Sequence, residues 1–122
     1  PVSCAAALAN LDIIEEEDLI AESVRKGEIA TRELLALQER FPEHVADVEG
    51  LGLLRGIHIR NPESGELDPE LARDWTWAGV KHGVMLFQVN RPSIKVCPPL
   101  VIEDDALVEG IRALEDALAS IA

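Results

Sequence analysis

The sequence is poor in positive charge, and this scarcity argues against two broad classes of partner. Its 122 residues hold 11 Lys and Arg against 23 Asp and Glu, a formal net charge of −12. Nucleic-acid phosphates and anionic membrane surfaces are bound by clustered Lys and Arg, so neither partner is expected. The sequence also lacks any run near the roughly 20 apolar residues of a membrane span. Residues Pro1–Asn10 lack the basic region of a secretory signal.

Cysteine and histidine are scarce as well. The two cysteines, Cys4 and Cys97, are too few for a disulfide framework, which predicts a reducing, cytoplasmic setting. The three histidines are scattered and show neither an HxxxH nor a CxxC-type spacing, so no metal site is expected. We expect Cys4 to be a small buried apolar residue in an Ala-rich helix. Nothing in the sequence supports a reactive thiol at Cys97.

Apolar residues make up 48% of the chain, enough for one core, and we predict a single domain over residues 1–122. The chain opens at Pro1 without a Met and enters an Ala-rich stretch at once, whereas domain starts are usually polar. We therefore expect this sequence to be a piece of a longer protein.

Four segments have the apolar spacing that predicts a helix. They are Val2–Ile14, Leu19–Arg40, Pro69–His82 and Glu103–Ile121. The first should bury a face made by Leu8, Leu11 and Ile14. Candidate core positions of the second are Ile20, Val24, Leu34, Leu37 and Phe41. Gly27 lies inside the second helix, where glycine costs about 1 kcal/mol relative to Ala, so it marks either a kink or a close approach.

Residues at the helix ends support these assignments. Asp18 is expected to open the second helix, because acidic residues favour helix N-termini. Asp68 is the predicted N-cap of the third helix, with Pro69 at its first position, and Gly83 is its predicted C-terminal stop.

Extended segments are predicted at His44–Val48, Leu53–Arg60, Val84–Val89 and Ile94–Cys97. The glycine-rich stretch Gly50–Gly56 fits neither a dinucleotide fingerprint nor a Walker loop, and its simplest interpretation is a hairpin turn entering a strand. Few strands with segregated helices predict an α+β fold. We expect a two-layer sandwich in which helices cover a small, mostly antiparallel sheet of three or four strands, with a long N-terminal helical segment.

Few side chains are candidates for chemistry. Lys26 and Lys81 lie on predicted helices among acidic or polar neighbours and are expected to be solvated. Lys95 differs, because it lies within a short apolar strand and faces opposite to Ile94 and Val96, toward solvent or an anionic group in a cleft. Arg91 in the preceding loop is a similar but less constrained candidate.

Two tryptophans are the main aromatic concentration. Trp75 and Trp77 are two positions apart on a helix and therefore face different ways. One is expected in the core, and the other is a candidate interface anchor.

Four segments, in order along the chain, resemble the class III (omega-type) aminotransferases, which depend on pyridoxal phosphate. Pro1–Ala9 resembles their HP-x-x-C/A-A-A-A-L-A segment, and Asp12–Leu19 the run that follows it. Val48–Ile57 is similar to the V-R-G-x-G-L-x-x-G-I hairpin, and Ile94–Ile102 to the R-x-x-P-P-L-x-I strand. The resemblance implies the C-terminal small domain of a fold type I enzyme.

That resemblance implies a function for the whole parent protein and a limited one for this chain. The parent would transfer an amino group between an amine or amino acid and a keto acid or aldehyde, as a homodimer. The Schiff-base lysine and the cofactor-binding residues would lie in a large domain of the same polypeptide, outside this chain, so no catalytic residue is expected here. This chain would close over the small-molecule substrate and form one wall of its site.

Two positions depart from the family pattern. Lys95 stands where many members have an Arg that binds the substrate carboxylate, and Lys binds an anion only as a point charge. Glu49 stands where an Arg is frequent. A lyase or aminomutase of the same family remains an alternative, and so does a free-standing, non-enzymatic binding module that shares only the fold.

Overall fold

The computed structural model describes residues 1–122. Its elements, in chain order, are α1 (Val2–Glu16), α2 (Leu19–Arg40), β1 (Val45–Leu51), β2 (Leu54–Ile59), α3 (Pro69–Lys81), β3 (Ser93–Val96) and α4 (Asp104–Ala119). The three strands form one antiparallel sheet in the order β1-β2-β3. The predicted α+β sandwich is confirmed, with three strands.

Strand alternation divides the sheet into an inner and an outer face. Ile57 and Ile59 of β2 and Ile94 and Val96 of β3 are buried on the inner face, against the helices. The intervening residues point to the other side, which the helices leave uncovered. Sequence alternation therefore decides which side chains the sheet offers outside the core.

The core joins the sheet to α2, α3 and α4. Trp75 on α3 is fully buried, and its indole Nε1 donates a 2.8 Å hydrogen bond to the Leu114 carbonyl of α4. Trp77 is 66% exposed. The prediction that the two tryptophans face different ways, with one in the core, is confirmed.

The start of α3 is fixed as predicted. The Asp68 carboxylate accepts hydrogen bonds from the backbone N–H groups of Glu70 and Leu71, at 2.8 and 2.9 Å. The bond from Leu71, together with one from the Asn61 amide, holds the pKa of the Asp68 carboxyl below its ordinary range. Pro69 occupies the first helical position, and Gly83 follows the helix with φ 87°.

Several local features differ from the predictions. Residues Val84–Val89, predicted as a strand or an extended segment, form no strand, because their only ladder contact is a single bridge between Phe87 and Lys95. Asp18 opens α2 at its N-cap as predicted, but its backbone is left-handed (φ 47°) and its side chain caps no backbone N–H. Cys4 is exposed rather than buried.

The apolar faces of the first two helices also differ from expectation. Helix α1 contains no buried residue, since Leu8 and Leu11 of its predicted face are exposed and Ile14 is half-buried. Ile20 and Val24 are 73% and 58% exposed, because the buried stripe of α2 runs along its other side. None of these helices combines the length and apolar character needed to cross a bilayer.

Gly27 marks a close approach of two backbones. A Cβ built at Gly27 would lie 2.6 Å from the Cα of Gly52, which is far inside van der Waals contact. Gly52 lies in the β1–β2 turn with φ 51°, a conformation that favours glycine. The Arg55 guanidinium joins the two segments further, since it donates to the carbonyl oxygens of Gly27, Gly50 and Gly52 at 3.0, 2.6 and 2.9 Å.

We predict opposite effects of the same substitution at two helical glycines. Gly27→Ala should lower the free energy of unfolding by about 1–3 kcal/mol, because the added methyl group collides with fixed backbone. Gly110→Ala on α4 is the matched control, since a Cβ there meets nothing within 4 Å. It should raise the stability by roughly 0.5–1 kcal/mol. Urea unfolding measures both, and equal transition midpoints would contradict the role given to Gly27.

Candidate functional site

Lys95 occupies the position that alternation predicts. Its neighbours Ile94 and Val96 are buried, while Lys95 is exposed on the outer face of the sheet. Its backbone N–H donates to the Phe87 carbonyl at 3.2 Å, and its cross-strand partner on β2 is Gly56. The side chain forms neither a hydrogen bond nor an ion pair within the chain, so its ammonium is free to bind an anion.

A shallow groove of about 610 Å³ lies on the outer face beside Lys95. Gly56 contributes no side chain to its floor and pairs with Lys95 on one side and Glu49 on the other. Leu54 and Phe87 add exposed apolar walls. The groove therefore combines one cation and one carboxylate with apolar surface, as small-molecule sites commonly do.

Glu49 is not an isolated solvated acid. Its Oε1 lies 2.8 Å from Nε2 of His58, which is on the adjacent strand and the same outer face. This contact orients the carboxylate across the sheet from Lys95. The local sequence assigns Glu49 no role, and the cross-strand register places it on the same outer face as Lys95, with Gly56 of β2 between them.

Arg91 is exposed in the loop before β3 and is not among the residues that line this groove. Its carbonyl oxygen accepts a hydrogen bond from the Gln88 side-chain amide at 2.9 Å, while its guanidinium contacts no carboxylate. Asn90 beside it is left-handed, with φ 58°. The structure thus places Arg91 two residues before the strand that carries Lys95 and outside the lining of this groove.

A second, mainly apolar groove of about 550 Å³ lies between the Val84–Phe87 segment and α4. Lys95 stands at its edge as well, and Cys97 and Pro98 line it just beyond β3. The Cys97 thiol is exposed and unpaired. No cluster of three or more His, Cys, Asp or Glu side chains is placed to hold a metal ion.

Lys26 is buried, and the prediction of a solvated side chain is wrong. It is only 7% exposed, and its Nζ donates a 3.1 Å hydrogen bond to the Leu100 carbonyl and lies 3.7 Å from the Glu22 carboxylate. A signal for this was present in the sequence. Lys26 lies four residues before Ala30, on the stripe that continues to Leu34.

An ion-pair cluster joins the starts of α2 and α4. The Arg25 guanidinium binds both Asp104 carboxylate oxygens, at 2.7 and 2.8 Å, and also contacts Glu22 at 2.9 Å. These hydrogen bonds lower the pKa values of the Asp104 and Glu22 carboxyl groups. The bond to Asp104 is also the main cause that raises the pKa of Arg25.

We predict that Arg25→Met raises the pKa values of Asp104 and Glu22 toward their ordinary range, which carboxyl-carbon NMR titration can follow. Because both carboxyl pKa values are lowered in the folded state, the cluster stabilises the fold above the ordinary carboxyl pKa of about 4 and loses this effect as the pH falls below it. Arg73→Met is the control, since Arg73 pairs only with its neighbour Asp74. An unchanged Asp104 titration would contradict the assignment.

The chain resembles proteins of known classes along nearly its whole length. Residues 1–118 match the family model described as Aminotransferase class-III. The chain is 41% identical over 121 residues to an acetylornithine aminotransferase of Corynebacterium efficiens. It is 34% identical over 122 residues to an isoleucine 2-epimerase of Lentilactobacillus buchneri. Each alignment covers 99% of this chain and 27% of the relative.

Solved structures agree with the sequence relatives. An amine transaminase from an uncultivated Pseudomonas species superposes with a TM-score of 0.89 and 31% identity, over 100% of this chain and 28% of its own. This chain thus spans between a quarter and a third of the length of the relatives it matches. The family model, the relatives and the superposition lead to one conclusion: the chain belongs to the class III aminotransferase family.

Proposed function

We propose that this chain is the C-terminal small domain of a pyridoxal-phosphate-dependent aminotransferase, and that its outer sheet face forms one wall of the substrate site. The parent protein would move an amino group between an amine or amino acid and a keto acid or aldehyde. The observation that carries the proposal is Lys95, an unpaired, exposed cation held between two buried strand residues. Family membership and coverage of about 27% of the relatives support the assignment to part of a larger enzyme.

None of the three lysines of this chain matches the Schiff-base position of the family that its motifs resemble. The Lys26 ammonium is buried and engaged by Glu22 and by the Leu100 carbonyl. Lys81 is exposed in the last turn of α3, and Lys95 lies on the open sheet face. The cofactor would therefore be held by residues outside this chain. When bound, pyridoxal phosphate supplies an electron sink, while the protein supplies orientation and electrostatics.

The role proposed for this chain is to bind and orient the substrate. The Lys95 ammonium would bind a substrate carboxylate as a point charge, without the planar two-pronged geometry of an arginine. Apolar walls of the groove would cover the remainder of the substrate and exclude water. Arg91 would add a second positive charge near the same strand, where it attracts an anionic substrate without touching it.

A racemase or epimerase is the second candidate, favoured by the names of several relatives. Besides the isoleucine 2-epimerase, an alanine/serine racemase of Pyrococcus horikoshii is 35% identical over 97% of this chain. The two functions differ in the substrates that they require. A racemase inverts the configuration at the α-carbon of an amino acid in the absence of any keto acid, whereas an aminotransferase needs a second substrate that accepts the amino group. Chiral chromatography of the amino acid, with and without a keto acid, separates the two candidates in the full-length protein.

We further propose that the parent is a cytoplasmic homodimer with small-molecule substrates. The scarcity of cysteine supports the compartment. The resemblance to class III enzymes supports the dimer, which light scattering of the full-length protein tests directly.

We predict that borohydride reduction of the full-length protein with pyridoxal phosphate will trap the cofactor on a lysine outside residues 1–122. Peptide mapping by mass spectrometry gives the attachment site. Recovery of the reduced cofactor on Lys26, Lys81 or Lys95 would overturn the assignment of these three residues.

We predict that Lys95→Ala in the full-length enzyme raises KM for a carboxylate substrate by roughly tenfold or more, the effect of losing one hydrogen bond to a charged group. Lys95→Arg should preserve binding, because a guanidinium also binds carboxylate. Lys81→Ala is the control, since Lys81 is an exposed lysine on another element. A kcat/KM unchanged by Lys95→Ala would remove Lys95 from the site.

A further inference from the structure

The loop that follows β3 has few bonds of its own. It runs from Cys97 to Glu103 and contains Pro98 and Pro99, which have no backbone N–H to donate. Its only internal backbone hydrogen bond runs from the Ile102 N–H to the Pro99 carbonyl, at 3.0 Å. β3 ends at Val96, so this loop begins two residues after Lys95. Whatever holds the loop therefore also holds the end of the strand that presents Lys95.

Lys26 supplies the only side-chain hydrogen bond to that loop. Its ammonium donates to the Leu100 carbonyl at 3.1 Å, and the Lys26 residue is only 7% exposed. A buried ammonium costs free energy unless it is paired, and the Glu22 carboxylate at 3.7 Å provides its counter-charge. The Leu100 carbonyl adds a hydrogen bond that offsets a further part of this cost, so the loop and Lys26 constrain each other.

The same part of α2 fixes the turn at this end of the sheet. Gly27, the next residue, touches the backbone of Gly52 in the β1–β2 turn, and its carbonyl accepts from Arg55 at 3.0 Å. Arg55 pairs with Val96, the last residue of β3. Two consecutive residues of α2 thus hold the two chain segments that border the end of the strand carrying Lys95.

We propose that Lys26 is a positioning residue, which holds the Cys97–Glu103 loop to α2 and thereby fixes the end of β3 from which Lys95 projects. The inference rests on the proposed function, in which Lys95 binds the substrate carboxylate. Lys26 itself touches no substrate, because its ammonium is enclosed between Glu22 and Leu100. Its effect on binding is transmitted through the loop and is specific for groups that Lys95 recognises.

The test compares Lys26→Met, Lys26→Gln and Lys95→Ala in the full-length holoenzyme with a carboxylate substrate. Lys26→Met keeps the length of the side chain but removes its donor, and it should raise KM roughly 2- to 30-fold, the range typical of residues that couple sites at a distance. The value of kcat should stay near that of the wild type. Lys26→Gln retains an N–H donor and should restore part of the loss. Lys81→Met is the matched control and should change nothing.

Two further measurements separate positioning from general destabilisation. In the Lys95→Ala background, Lys26→Met should raise KM no further, because no ammonium remains to be positioned. Hydrogen exchange should speed up at Ile102 of the Lys26→Met variant, whose N–H donates the loop's one internal backbone hydrogen bond, while the amides of α3 keep their protection. If Lys26→Met does not fold, the same comparisons with Lys26→Gln decide the question.

The failures of the two proposals are distinguishable. If Lys95→Ala raises KM and Lys26→Met does not, the positioning role is wrong and the proposed substrate contact stands. If the effects of Lys26→Met and Lys95→Ala on KM are additive in the double variant, the positioning role of Lys26 is wrong as well. If Lys95→Ala leaves KM unchanged, the proposed function fails. Unchanged hydrogen exchange at Ile102 in the Lys26→Met variant would then show independently that the tether is also absent.

Discussion

The direct contact between the backbone of α2 and the β1–β2 turn is the constraint on which the rest of the structure depends. A Cβ at Gly27 would lie 2.6 Å from the Cα of Gly52, and a Cβ at Gly52 would lie 2.5 Å from the hydroxyl of Ser23 on α2. A helix this close to a sheet turn cannot slide, and Arg55 fixes it further by binding three carbonyl oxygens at once. The position of α2 determines where Lys26 meets the β3–α4 loop, and the turn determines the register of β2, against which β3 pairs.

The outer face of the sheet gains its chemical character from that register. Successive side chains of a strand point to opposite faces of the sheet. Because Ile94 and Val96 are buried in the core, Lys95 between them points to the outer face. Gly56 between Lys95 and Glu49 keeps the space between the two charges open. The candidate site therefore needs little local specialisation, because it uses the face that the packing of the helices leaves free.

Much of this arrangement could be predicted from the sequence where one local rule decides the outcome. The Asp68 cap, the split between Trp75 and Trp77 and the outward direction of Lys95 each follow from short-range geometry, and the structure confirms them. The segment Val84–Val89 has the apolar pattern of a strand but does not form one, because a strand needs a partner along its length. β3 offers only four residues, and the left-handed Asn90 turns the chain away.

Lys26 escaped prediction for a different reason. Composition marks a lysine as solvated, whereas its burial depends on a carbonyl oxygen 74 residues away in the sequence. The spacing along α2 does place Lys26 on the buried stripe, but no local pattern identifies the distant carbonyl that binds its ammonium. The position of Glu49 could not be predicted from the local sequence either. Glu49 and Lys95 share one face of the sheet because each of them pairs with Gly56, from opposite sides.

The bond between Lys26 and the loop has a consequence for how this surface can diverge. The ammonium binds the main-chain oxygen of Leu100 and no side chain of the loop. Val101 beside it is 56% exposed, and Leu100 itself is 37% exposed. Substitutions at these two positions can therefore change the surface of the loop while the main-chain bond to Lys26 stays intact. The side chains of this loop are free to diverge without loss of the contact that holds it to α2.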